Sequence, residues 1–347
     1  MSRIKEYSQI KRALLRELSH DCRASITYLA DKIGCSRNTI VSNMKALDEE
    51  LGIKYILQFT PKALVMSQNE FWTVRFKKKP QAGELGEIFA QDRGIRLVAT
   101  ASGGFDLLVN IITPSQQDYS QWAVKTLVRL SKYTPTVRSA SVIANHLGFI
   151  RVPDDIIEQL DMRRKELDDI DKKILVLLNR DARRTFLSMA NELGEDEGTI
   201  RYRFNKLIEA RMINRFTIAI TKPPTPYNMA FCMNFNWTQG FIDRYEKARQ
   251  HYISSEKGLH AINKLQYLAL TSGSFMMVGM GCFGSGGEAR REVVEKHRKL
   301  FGQDGLKISY ARITGVIKGC LPIRNVDVGE AFDPLVMPDK TKISEKN

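Results

Sequence analysis

The sequence predicts an α+β protein in which two winged helix-turn-helix domains alternate with two ferredoxin-like βαββαβ domains. Three observations support this prediction. The chain repeats itself at an offset of 160 positions, so that Asp21 falls on Asp181 and Gly34 falls on Gly194. Each copy begins with helical periodicity and continues with the alternation typical of strands. The length of 347 residues also exceeds what one typical hydrophobic core holds, which favours several domains.

The composition favours a protein that binds nucleic acid. The formal net charge of +14 indicates a polyanionic partner, and it favours nucleic acid over a membrane surface as that partner.

The five cysteines are scattered and the five histidines lack metal-ligand spacing, so we expect no disulfide frame, metal or cofactor. The charged N-terminus has no following apolar run, and no apolar run is long enough to span a membrane. A cytoplasmic protein is therefore expected.

The first helix-turn-helix domain is predicted within residues 8–57, which hold three helical patterns. Ser25 and Ser36 are expected to cap the second and third helices, and Gly34 is expected to end the second. Two short helices joined by a turn that contains glycine are the helix-turn-helix signature. The stretch Ile53–Phe59 then has the character of a wing strand.

A βαββαβ pattern follows each helical region. In the first copy its elements are predicted at Phe71–Lys78, Gly83–Ala90, Arg96–Ala101, Phe105–Thr113, Tyr119–Ser131 and Val137–Ala144. In the second copy the three helices are predicted at Leu167–Asn179, Thr185–Leu193 and Glu197–Ala210, and the sheet region at Tyr227–Asn236, Phe241–Ser254, Leu265–Ser272, Phe275–Phe283, Glu288–Phe301 and Ile308–Val316. The predicted domains are 1–60 and 66–150 in the first copy, 151–221 (with a linker helix) and 226–322 in the second, and a flexible tail at 323–347.

Three spaced motifs in the second copy resemble one known family. Leu167-Asp168-x-x-Asp171 is followed by Ala190-x-x-Leu193-Gly194 and Ile200-x-x-Arg203. Together they resemble the Lrp/AsnC family of prokaryotic transcription regulators. In the first copy, Gly104-Phe105-Asp106 resembles the turn of that family's effector-binding (RAM) domain. The resemblance spans roughly residues 8–320, and it implies DNA-reading domains joined to RAM-type domains that dimerise and often sense amino acids.

The two copies depart from the family pattern in different places. Ser8, Lys11 and Asn43 of the first copy correspond to Asp168, Asp171 and Arg203 of the second. The second sheet region has Ser274-Phe275-Met276 where the first has Gly104-Phe105-Asp106. Since the chain is a tandem, it forms either a homodimer through the RAM-type domains or a pseudo-dimer within one chain. Because the copies differ, the DNA site is expected to consist of unequal half-sites.

The residues predicted to contact double-stranded DNA lie on the outward faces of the third helices and just before the second helices. Asparagine can pair with adenine, and lysine or arginine with guanine or phosphate. The alternative for each is an ordinary solvated surface. The acidic stretch Glu195–Glu197 is expected to weaken or tilt binding by the second copy. The predicted set is Arg23, Arg37, Asn38, Thr39, Ser42 and Lys45 in the first copy and Arg183, Arg184, Thr199, Arg201, Tyr202, Arg203, Asn205 and Lys206 in the second, with Val41 at the margin.

Gly104 and Asp106 are the predicted effector contacts, although a hairpin turn alone also explains the glycine.

The predicted function is transcription regulation without catalysis. One alternative is a tetrapyrrole (siroheme) decarboxylase-like enzyme of the same two-domain plan, which would need convergent His and Arg side chains. His146 is one candidate, but its repeat counterpart is not histidine. Another alternative is a scaffold that binds basal transcription proteins.

Overall fold

The computed structural model describes most of both copies. The described residues are 9–60, 68–148, 150–159, 167–220, 227–236, 265–295 and 306–322, with 240, 243 and 298. The predicted tail at 323–347 and nearly all of the predicted helix Phe241–Ser254 lie outside them, as does the end of the predicted helix Glu288–Phe301. Among the helices that are described, none combines the length and apolar character needed to cross a membrane.

The first helix-turn-helix domain, residues 9–51, consists of three helices whose ends the sequence predicts well. We call this domain and its equivalent in the second copy the first and second reader domains. Ser25 caps α2 by accepting a hydrogen bond from the Tyr28 amide, and Ser36 caps α3 in the same way. Gly34 ends α2 with a φ of 76°, a conformation that glycine adopts without strain. The helices are α1 (Gln9–His20), α2 (Ile26–Ile33) and α3 (Arg37–Leu51).

The second reader domain, residues 167–209, has the same three helices with different caps. Thr185 caps α8 and Asp196 caps α9 through their side-chain oxygens. Val152 and Ile157, which belong to the predicted linker, are buried in the hydrophobic core of this domain, so this part of the linker is packed. The three helices are α7 (Asp169–Arg180), α8 (Phe186–Leu193) and α9 (Glu197–Glu209), and the linker before them forms the short helix α6 (Asp154–Ile157).

The predicted wing strand forms, but the wing assignment is wrong. Strand β1 (Ile53–Phe59) leaves the first reader domain and pairs antiparallel with β6 (Ile213–Ile220), its equivalent in the other copy. Each reader domain supplies one strand at this point, and the backbone of a single strand needs a partner for its hydrogen bonds. The equivalent strand of the other copy provides that partner. We refer to this two-stranded sheet as the β1–β6 ribbon.

The first copy then forms the predicted βαββαβ unit, and the described residues of the second copy form its four strands and part of its second helix. The strand orders are β3-β4-β2-β5 in the first copy and β8-β9-β7-β10 in the second, as in a ferredoxin-like sheet. The first unit contains β2 (Gln68–Phe76), α4 (Ala82–Ala90), β3 (Ile95–Gly103), β4 (Leu107–Thr113), α5 (Gln116–Leu130) and β5 (Pro135–Leu147). The second contains β7 (Tyr227–Asn234), β8 (Leu265–Gly273), β9 (Met277–Phe283), α10 (Gly286–Arg290) and β10 (Lys307–Gly319).

The two ferredoxin-like sheets are not separate, and their pairing within one chain is one of the two arrangements that the sequence predicts. Strand β5 pairs with β8, and β10 pairs with β3, so the eight strands close into one barrel. Closure removes exposed sheet edges, which explains why this arrangement is preferred over two half-open sheets. The barrel interior is lined by buried apolar side chains from both copies, including Phe71, Ala99, Tyr267 and Ala269. One chain therefore forms a pseudo-dimer.

Candidate nucleic-acid interface

The outward face of α3 carries polar and cationic side chains. Arg37, Asn38, Ser42 and Lys45 are exposed, as the spacing of the buried residues Ile40 and Leu47 predicts. Among the described residues, Arg37 and Lys45 form no ion pair. These charges are therefore available to a polyanion. The predicted contact Thr39 is half-buried, and its hydroxyl shares a 2.9 Å hydrogen bond with the Ser36 hydroxyl at the helix cap.

Val41 also lies on this face, with 54% of its surface exposed. The sequence placed it only at the margin of the predicted set. An exposed apolar side chain beside Ser42 and Lys45 is suited to contact a thymine methyl group in the major groove.

The outward face of α9 has a different chemistry. Tyr202 is 70% exposed, and Arg201, Asn205 and Lys206 are exposed beside it. The Arg201 guanidinium lies 2.7 Å from the Glu197 carboxylate and 4.9 Å from the centre of the Phe186 ring. This cation is thus partly neutralised before any partner binds.

The start of α9 is held by its cap. Thr199 is half-buried and donates from its amide to the Asp196 carboxylate over 2.8 Å. The Thr199 hydroxyl and amide together lower the pKa of Asp196 below its ordinary value, so this carboxylate stays charged. A negative charge at this helix end is stabilised by the helix dipole, and it opposes the approach of phosphate.

Arg203 occupies an internal ion-pair network, and its contact with DNA stays a prediction. Its guanidinium contacts both Asp168 and Asp171, the latter over 3.1 Å. Asp168 is the N-cap of α7, and its side chain accepts the amides of Ile170 and Asp171. Burial alone would raise the pKa of Asp168, but these amides and Arg203 lower it. The Leu-Asp-x-x-Asp motif and its distant arginine therefore brace α7 against α9.

In the first copy, all three residues of this ion-pair network are replaced by other residue types. Asn43, in the place of Arg203, donates to the Thr39 carbonyl within its own helix over 2.8 Å. Lys11, in the place of Asp171, forms a 2.5 Å ion pair with Glu50. Each of these two replacements in the first copy thus has a polar partner of its own.

Arg23 and Arg183 face the opposite copy, and their contact with phosphate stays a prediction. Arg23 donates to the carbonyls of Ala182 and Arg184, at 2.5 and 3.1 Å. Arg183 donates to the carbonyls of Cys22 and Ala24, at 2.6 and 3.3 Å. Both guanidinium groups are thus engaged in contacts between the copies.

Arg184, the third arginine of this predicted group, stays within its own reader domain. Its guanidinium donates to the Ser188 hydroxyl over 3.2 Å and forms an ion pair with Glu192.

Burial of the loop that contains Arg23 lowers the pKa of the Arg23 guanidinium and raises the pKa of the Cys22 thiol to about 12. The sequence contained one signal for the crossed contacts, since Arg23 and Arg183 are identical residues at equivalent positions of the repeat.

The structure places the predicted effector turn at the junction between the two sheets. The Gly104 amide donates to the Tyr310 carbonyl of β10, and a Cβ at Gly104 would lie 2.4 Å from the Ser309 hydroxyl oxygen. Asp106 accepts the Phe76 amide over 3.0 Å and pairs with Lys79 over 2.9 Å. These contacts explain both residues structurally, and effector binding by them stays a prediction.

Comparison with known proteins agrees with the helix-turn-helix assignment. Residues 167–208 match the model of the AsnC-type helix-turn-helix domain. An uncharacterised HTH-type transcriptional regulator of Pyrococcus abyssi is 34% identical over 87 residues, which are 24% of this chain and 54% of that protein. The HTH-type transcriptional regulator Ptr1 of Methanocaldococcus jannaschii is 43% identical over 65 residues, covering 19% of this chain and 41% of that protein. The chain thus spans about half the length, or less, of these curated relatives.

The whole chain has a structural counterpart. The siroheme decarboxylase NirDL matches over 91% of this chain and 94% of its own, with a TM-score of 0.57 and 12% sequence identity. A second structure of NirDL, in complex with an iron-uroporphyrin III analogue, matches with a TM-score of 0.56 and 13% identity. At this identity the likeness shows a shared tandem fold.

Proposed function

We propose that the chain is a sequence-specific DNA-binding transcription regulator of the Lrp/AsnC type that acts by binding and not by catalysis. The observation that carries this proposal is the presence of two outward-facing recognition helices, α3 and α9, on one pseudo-twofold scaffold. The AsnC-type domain at 167–208 and the HTH-type regulators among the relatives support it. The net charge of +14 supports it as well.

The chemistry of the two faces favours unequal half-sites. The first recognition helix offers uncompensated cations and Asn38, a side chain suited to adenine. The second offers Tyr202, the exposed Lys206 and an arginine already paired with Glu197. The first reader domain therefore supplies most of the phosphate attraction, and the second supplies an aromatic contact beside an acidic helix start.

Selection of duplexes from a random pool with the full chain tests this function. The expected product is an asymmetric motif whose affinity falls with salt, by a log-log slope of about −0.9 for each phosphate neutralised. A perfect palindrome in which both halves are equally required would contradict the unequal half-sites. Absence of enrichment, or binding that is insensitive to salt, would contradict DNA binding itself.

We propose further that one chain is the DNA-binding unit, and that a small effector such as an amino acid acts at the sheet domains. The closed barrel supports the first point, because the contact expected between two chains is made between two copies of one chain. The turn at Gly104 and Asp106 contacts β10, so a ligand there would act on the pairing of the copies. Anisotropy titrations of the selected duplex with each amino acid present, combined with mass photometry of the complex, test both points.

The full-length fold likeness to NirDL favours a second candidate, a decarboxylase-like enzyme that acts on a tetrapyrrole. Such an enzyme would need arginine and histidine side chains that converge on the tetrapyrrole. Arg96 is a buried arginine of the sheet region, and its guanidinium donates to the backbone carbonyls of Ile150 and Arg151. The side chain of His146, the histidine candidate, lies outside the described residues. Titration with iron-uroporphyrin III separates the two functions. A change in its absorbance at stoichiometric protein would favour the enzyme, whereas an unchanged spectrum is expected for the regulator.

A further inference from the structure

The loops before α2 and α8 make a reciprocal contact across the two copies. In the repeat, Ala182 and Arg184 are the equivalents of Cys22 and Ala24. Each arginine therefore donates to the same two carbonyls of the opposite loop as its counterpart does. In each loop an aspartate two residues earlier accepts the amide of the arginine, at 2.8 and 2.9 Å, and fixes the loop conformation.

Aromatic rings hold the two guanidinium groups in place. The Arg23 guanidinium lies 5.1 Å from the ring centre of Phe204 and 5.4 Å from those of Phe186 and Phe216. Phe204 belongs to α9, so Arg23 of the first copy touches the recognition helix of the second. The Arg183 guanidinium lies 5.4 Å from the centre of the Tyr55 ring in β1. Such stacking uses the planar face of arginine while its edge donates hydrogen bonds.

The β1–β6 ribbon joins the same loops through the backbone. The Cys22 amide donates to the Phe216 carbonyl, and the Ala182 amide donates to the Tyr55 carbonyl, each over 3.0 Å. Ala182 also belongs to the buried core of the first reader domain. The two reader domains are thus joined by strand pairing, shared core and crossed arginines.

We propose that Arg23 and Arg183 are positioning residues that fix the distance and angle between α3 and α9, so that one chain accepts only one spacing between its two half-sites. This inference rests on the proposed DNA-binding function. Half-sites read from one side of a duplex must lie close to a whole number of turns apart, about 10 base pairs each. A rigid pair of reader domains satisfies this condition without an ordering cost on binding.

Arginine is needed here because of its shape. A lysine keeps the positive charge, but its compact ammonium lacks the flat guanidinium face that stacks on the rings while the edge donates to two carbonyls. The double variant R23K/R183K therefore preserves charge while loosening the contact. The matched control is R184K, because Arg184 neighbours Arg183 but pairs within its own reader domain.

The test compares wild type, R23K/R183K and R184K, all as full chains, on duplexes selected from a random pool. The affinity of each protein is then measured on duplexes that carry 0, 2, 5 or 10 additional base pairs between the selected half-sites. Wild type and R184K are expected to lose at least about tenfold in affinity on the 5-base-pair insertion, since linked binding gains about 10²–10⁴ only when geometry permits. For R23K/R183K, a loss below about threefold is expected, together with a broader range of selected spacings.

Several results would overturn the inference. One is a wild type that binds all spacings equally, a measurement that needs no variant. Another is an R23K/R183K variant that folds, as judged by circular dichroism and urea unfolding, and keeps the spacing profile of wild type. If the double variant does not fold, the single variants R23K and R183K take its place. Enrichment of half-sites without fixed spacing counts against the arginine contacts alone, whereas no enrichment of any duplex counts against DNA binding.

Discussion

The exposed side chain of Val41 leads to a prediction about one base position in the first half-site. Because 54% of Val41 is exposed on the recognition face of α3, we expect it to contact a thymine methyl group. The perturbation is replacement of each thymine by deoxyuridine, which removes only that methyl group. Burial of one such group contributes about 0.8 kcal/mol, and a tenfold change in affinity corresponds to about 1.4 kcal/mol. One substitution should therefore weaken binding about fourfold.

The assay is a fluorescence anisotropy titration of singly substituted duplexes with wild type and Val41→Ala. In Val41→Ala the difference between thymine and deoxyuridine should fall below about 1.5-fold at the sensitive position, because the buried contact is lost. Val128→Ala is the matched control, since Val128 is 67% exposed on α5, outside the reader domains. A flat scan over the first half-site, or a sensitivity that persists in Val41→Ala, would refute the reasoning.

Three further predictions concern the recognition helices, a helix cap and the barrel. Lys45→Ala should weaken duplex binding about tenfold, a loss within the roughly 1–3 kcal/mol of one contact, and reduce the salt slope by about one. Arg201→Ala should cost less, because that cation is already paired; equal losses in anisotropy titrations would contradict this. Asp168→Ala should lower the free energy of unfolding in urea by about 1 kcal/mol at pH 7. Since the folded pKa of Asp168 is lowered, the difference from wild type should be full above about pH 4 and disappear as the pH falls further. Gly103→Ala should destabilise by about 1–3 kcal/mol, because Gly103 has a φ of 139° and an added Cβ would lie 2.8 Å from a carbonyl oxygen of β10. Its control Gly83→Ala, on a helix with open space around it, should be neutral or stabilising by up to about 1 kcal/mol in the same urea assay.

The local elements of both copies could be predicted from the sequence because their causes lie within a few residues. Ser25, Ser36 and Asp196 cap helices by bonding amides three residues ahead, and a single glycine ends α2. The strand over Ile53–Phe59 was predicted with the bounds that the structure has. Exposure of Asn38 and Lys45 follows from the helical period.

The pairing between copies could not be predicted in the same way, because its partners lie far apart along the chain. Strand β5 meets β8, and β10 meets β3, by pairings that no local pattern encodes. The same holds for Arg23, which resembles a surface charge until the opposite loop is placed against it. The ion pairs of Arg203 were not predicted either, because its two carboxylate partners lie more than thirty positions earlier in the sequence.

The closed barrel has a consequence for how the protein can evolve. In an assembly of two identical chains, every substitution appears in both halves, so a change that improves one DNA contact is imposed on the other. Here each half pairs with a covalently attached neighbour that carries its own sequence. Mutations therefore accumulate in one half at a time. Because the eight described strands of the barrel pair the sheet edges of the two copies with each other, none of these strands offers a free edge at which a related chain could replace either copy. The asymmetric partnership is therefore inherited as a unit.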